Sequence, residues 1–175
     1  QRMPTNLLDA LPHYQRVANE MIGSPLHPLA WGRVGDCYLQ LGNLGPAADA
    51  YRAVTELPGT DVTTRSQAGL GLARVLEEQA ALAGETEERE ELLQQSLYQC
   101  MKIVFGDNLR SAREKMDPFW VKEAGLMAGH LAGRLGRADQ ERSVYSRLAK
   151  ELPDMPLWQA KLDALKVGPE SPKAP

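Results

Sequence analysis

Apolar residues recur at intervals of three and four along most of this chain, a spacing that gathers them on one face of a helix. Trp31, Val34, Tyr38 and Leu41 form one such stripe, and Ala47, Ala50, Tyr51, Val54 and Leu57 form the next. Between them Leu41-Gly42-Asn43 ends a helix, since glycine is the usual residue just past a helix terminus, and Pro46 suits the first turn of the following one. Pro58-Gly59 closes the pair. Further along, the pattern predicts a helix from about Thr63 to Leu82, a turn at Gly84-Glu85-Thr86 and a helix from about Glu87 to Phe105. Asn108 to Lys115 reads as a connecting loop or a short extra helix. Asp117-Pro118 then opens a helix, with Asp as cap and Pro in the first turn. A helix from about Asn6 to Ile22, with Pro12 as an alternative start, precedes these elements, and one opened by Met155-Pro156-Leu157-Trp158 and running through about Val167 follows them.

Small residues punctuate the stripes. Gly35 lies beside the first, where a missing side chain lets a second helix come close, and Ala47 is small enough to face it. The ordered set Trp31-x-x-Val34-Gly35-x-x-Tyr38, then Ala47-x-x-x-Tyr51 and Pro58, resembles the tetratricopeptide signature. Without that spacing the stripes show only an amphipathic helical hairpin. Gly69 stands one usual repeat length after Gly35, within Ala68-Gly69-Leu70-Gly71-Leu72-Ala73. Tyr51, Tyr98 and Tyr145 are spaced 47 residues apart, which makes the middle hairpin long. In a third unit Gly129, Leu135-Gly136-Arg137, Tyr145 and Pro153 echo the first, although Gly125, Ala132 and Glu141 replace its Trp31, Tyr38 and Ala47.

The resemblance implies an all-α, right-handed α-solenoid of about three antiparallel helix hairpins plus a C-terminal capping helix. Hairpins are expected at 28–59, 61–106 and 117–153, with a connector at 107–116, a cap at 155–167 and a disordered tail at 168–175. Residues 1–24 read as a helix, the second half of a preceding repeat, so the chain looks like a fragment or a processed product. In the family the first helices of successive hairpins line a concave groove. Carried over by position, this gives Arg33, Asp36 and Gln40 in the first unit, Gln67, Leu70 and Arg74 in the second, and Met127, His130 and Arg134 in the third. Three arginines against one carboxylate make a locally positive groove, suited to an acidic or C-terminal peptide because guanidinium pairs carboxylate bidentately. The family's clamp for chaperone tails needs Lys and Asn at set places; Arg33, Gln67 and Met127 stand where its Asn residues recur.

Composition narrows the function. A net charge of −3 gives no electrostatic reason for nucleic acid or an anionic membrane as partner, and no run of apolar residues is long enough to span a bilayer. Cys37 and Cys100 are expected as small core residues, without the paired spacing of a zinc or redox motif. His13, His27 and His130 are scattered and form no metal-ligand pattern. The acidic run from Glu85 to Glu91 opens a helix, where the dipole favours carboxylates. With no catalytic grouping and no cofactor implied, the chain is expected to be a non-catalytic scaffold for a protein or peptide partner. The alternative is a structural spacer or oligomerisation segment acting through the N-terminal face, on Leu7, Leu8, Tyr14, Val17 and Met21. The long middle hairpin is reminiscent of bacterial tetratricopeptide proteins of the cell envelope. The cysteines leave periplasm and cytoplasm both open.

Overall fold

A computed structural model describes residues 5–166, with side chains from residue 7. These residues form eight helices and no strand: α1 (Thr5–Glu20), α2 (Leu26–Gln40), α3 (Leu44–Glu56), α4 (Val62–Leu82), α5 (Glu87–Phe105), α6 (Pro118–Arg134), α7 (Ala138–Glu151) and α8 (Leu157–Lys166). Each helix packs on the next, and α2 also meets α4, α4 meets α6 and α5 meets α7. Sequential hairpins whose first helices touch one another make the all-α, solenoid-like arrangement that the sequence predicts.

Local chemistry sets the ends. Asp61, Thr86 and Asp117 each accept a first-turn backbone N–H through the side chain, at the starts of α4, α5 and α6. α5 stops at Gly106, whose φ of +81° only glycine adopts without strain. Pro12 lies inside α1 instead of starting it.

Two aromatic rings hold the hairpins together. Tyr51, only 1% exposed, is clamped between α2 and α4. A Cβ added at Gly35 would lie 2.7 Å from its ring, and one at Gly71 would lie 2.5 Å away. The third hairpin has one side of this contact, with Tyr145 against Gly129, and Leu148 against Gly125, both on α6. The middle hairpin lacks it. Gly69 faces Ile103, and Tyr98, the 47-residue counterpart of Tyr51, is 61% exposed. The partner of the middle glycine therefore stands five residues beyond the position that equal tyrosine spacing predicts.

The connector between α5 and α6 is irregular, without the extra helix considered from sequence. Its anchor is Arg65, a buried cation that donates to the carbonyls of Thr60 and Asn108 and to Glu114 Oε2 (2.5 Å). Arg110 donates to the carbonyls of Thr55 (2.6 Å) and Leu57 (2.7 Å), satisfying groups that the end of α3 leaves unpaired. At the other end Trp158 is fully buried and fastens α8, whose Gln159, Lys161 and Asp163 face solvent as a cap requires. The tail expected at 168–175 lies outside the described residues.

Candidate functional site

The first helices α2, α4 and α6 form one layer, and two contacts fix their relative direction. Thr63 Oγ1 donates to Asp117 Oδ2 (2.8 Å), joining the starts of α4 and α6. Arg134 Nη1 pairs with Glu77 Oε1 (2.5 Å), joining their later halves. Gly35 and Gly71 meet the same ring at equal depth in α2 and α4. All three helices therefore run the same way, and helical period selects the face each turns away from the second-helix layer. That face carries Leu26, Leu29, Arg33, Asp36 and Gln40 on α2, then Thr63, Gln67, Arg74 and Glu78 on α4. On α6 it carries Phe119, Glu123, Leu126, His130 and Arg134.

Arg33, Gln40, Arg74, His130 and Arg134 are exposed, as a groove requires, and Asp36, Gln67 and Met127 are half-buried. Met127 also packs against the core. Leu70 is not a groove residue. It is 1% exposed within the cluster that α4, α5 and α6 share. The expectation of a positive groove is corrected as well. Arg33 is paired with Asp36 (3.0 Å), and Arg134 with Glu77. Glu78 and Glu123 share the face, and Lys122 sits 3.2 Å from Glu123. Among the described residues, Arg74 is the one groove arginine without a carboxylate within 4.0 Å. Helical period would have placed Glu78 four residues after Arg74 and Glu123 seven before His130. The carry-over of three places per helix left them out.

Asp36 has a second task, accepting from Tyr51 Oη at 2.8 Å. Burial, and then the Asp36 carboxylate, push the Tyr51 phenol far above the usual range, so it stays neutral and donates. The clamp between helices is thereby tied to the groove floor. No protein-family model and no curated protein matches the chain.

Because the three helices are parallel, this face is divided along its length. The early turns supply an apolar lip, with Leu26 and Leu29 (44% exposed) on α2 and Phe119 (55%) on α6, and Leu126 stands halfway along α6. The later turns supply Arg33, Asp36, Gln40, Arg74, Glu77, His130 and Arg134. The sequence reading missed this lip, although Leu29 and Leu126 each lie four residues before an assigned groove residue. Both cysteines are buried and free, and burial pushes the Cys100 thiol up to about 12, with Glu77 adding to the rise. Such a thiol is no nucleophile at neutral pH. Among the described residues no cluster of His, Cys, Asp or Glu could hold a metal, and no helix is long and apolar enough to cross a membrane.

Proposed function

We propose that this chain is a tetratricopeptide-type scaffold with no chemistry of its own, holding a segment of another protein in the groove of α2, α4 and α6. The observation that carries the reading is the clamping of Tyr51 between Gly35 and Gly71, which sets α2 beside α4 as successive repeats require. The matching segment has apolar side chains for the lip and one carboxylate for Arg74, since Arg33 and Arg134 already have partners. Peptides selected from a random display library on the wild-type protein provide the test. Their affinity, read by fluorescence anisotropy, should fall at least roughly tenfold in Leu29→Asp/Leu126→Asp and again in Arg74→Glu. Undiminished binding to both variants would move the site elsewhere.

A second reading, association through the N-terminal helix, has one observation in its favour. Tyr14 and Val17 on α1, with Met21 just past its end, lie on one side that no described element covers completely, and Leu8 is exposed elsewhere on the helix. The opposite face, with Asp9, Arg16 and Glu20, is polar, as on a terminal cap. Sedimentation velocity decides: this reading needs a dimer that Tyr14→Asp/Met21→Asp dissociates.

A further inference from the structure

The second-helix layer carries a cleft that the groove does not use. It lies between α5 and α7 and measures about 500 Å³, within the range of roughly 300–1,000 Å³ typical of small-molecule sites. Its apolar wall comes from Leu97, Met101 and Phe105, which are four residues apart on α5, and from the exposed ring of Tyr98. Lys102 Nζ stands 5.7 Å from the centre of that ring, and Arg137 contributes from the opposite wall. Among the described residues neither cation has a carboxylate within 4.0 Å; Asp107 is the single acidic side chain at the cleft.

Gln140, also on the wall, has its Oε1 buried without a hydrogen-bond partner. With Oε1 turned inward, the end of the amide left for a molecule in the cleft is Nε2–H, a donor.

We propose that this cleft binds a small amphiphilic carboxylate. The aliphatic or aromatic body lies on Leu97, Met101 and Phe105, and the carboxylate accepts from Gln140 Nε2 between Lys102 and Arg137. Three features of different origin converge on this ligand class: an apolar wall, a cation pair that outnumbers its carboxylate, and an amide donor beside them. The inference is independent of the proposed groove, which lies in the other helix layer.

Decanoate is the probe, and methionine-methyl NMR of the whole chain is the readout, with the Met101 signal assigned through Met101→Leu. Decanoate should shift and saturate Met101 in the sub-millimolar range while leaving Met127, on the groove side, and Met21 unmoved. Decan-1-ol, with the same body and no charge, should bind roughly tenfold or more weakly, and Lys102→Gln/Arg137→Gln should weaken decanoate by a similar factor. Gln140→Leu, which keeps the volume and removes the amide, should also weaken it. Lys102→Arg/Arg137→Lys should retain binding, which separates charge from folding. Equal shifts at Met127 and Met21, equal affinity for the alcohol, or full binding by the charge-neutralised variant would each overturn the proposal.

Discussion

Alanine at Gly32 and alanine at Gly35 should move stability in opposite directions, although the two sites lie three residues apart on α2. Both exchanges remove a glycine from a helix interior, which by itself stabilises by about 1 kcal/mol. At Gly32 the added Cβ meets nothing within 4 Å, so that gain stands. At Gly35 it would lie 2.7 Å from Tyr51 Cε1 and 2.8 Å from Cδ1, against an ordinary carbon–carbon contact of about 3.5–4.0 Å. The ring or the helix must give by about 1 Å. Tyr51 has nowhere to go. Gly71 closes its far side, and its hydroxyl is bound to Asp36. Overpacking of this kind costs about 1–3 kcal/mol against a propensity gain of about 1, so a net loss of up to about 2 kcal/mol is expected, set against the gain at Gly32. For a chain of this size each kcal/mol is about 2–4 °C in Tm, so thermal unfolding followed by circular dichroism resolves both signs. Gly71→Ala should behave like Gly35→Ala, and the pair together should lose more than the sum, since each pushes the ring toward the other. In a Tyr51→Leu background Gly35→Ala should turn neutral or stabilising. If Gly35→Ala proved as stable as Gly32→Ala with Tyr51 intact, the ring is not clamped and the stacking of α2 on α4 falls.

Three further outcomes follow from the same geometry. Arg65→Met should destabilise by about 2–4 kcal/mol, because it strands two carbonyls, and hydrogen exchange should speed up first in the connector. Glu114 is held below the ordinary glutamate range, mainly by its hydrogen bond from Arg65, and a lowered folded-state pKa stabilises above the unfolded value. Connector protection should therefore be full at neutral pH and fade as pH falls from the ordinary glutamate range through the lowered value, a step that Glu114→Gln abolishes. Trp158→Ala should cost about 3–5 kcal/mol and release α8, whereas Trp158→Phe should cost far less, because it also removes an indole N–H with no acceptor; urea unfolding followed by circular dichroism separates the two.

The helices were legible wherever a chemical signal marks a boundary, and the site was legible only where one hairpin resembles its neighbour. Thr86 and Gly106 bracket α5, and Asp117-Pro118 starts α6, because capping and positive φ are properties of single residues that need no knowledge of the fold. Gly35 was legible as a point of close approach, but its neighbour is the Tyr51 ring and not Ala47, which the sequence had set against it. The middle hairpin breaks the regularity, with helices of 21 and 19 residues. A longer α5 moves the partner of Gly69 to Ile103, and that shift is invisible to any constant period. It also frees Tyr98 to stand at the mouth of the cleft beside α7, while Leu70, one helical step from the groove face, disappears into the core. Arg65 escaped notice for the opposite reason, since a buried arginine is recognised only by the carbonyls around it, and those come from Thr60 and from Asn108, 43 residues away. The charge of the groove was misjudged because the three places carried over for each helix were treated as the whole of its face. Period alone adds Leu29, Glu78, Glu123 and Leu126 to that face, and with them it changes from a positive patch to an apolar lip above a nearly balanced floor. A ligand chosen by such a surface is selected first by its apolar side chains and only then by one carboxylate. Raising the salt concentration should accordingly weaken peptide binding by no more than the loss of a single exposed ion pair, under about 1 kcal/mol. A steep salt dependence, of the kind several unpaired arginines produce, would falsify this description of the groove.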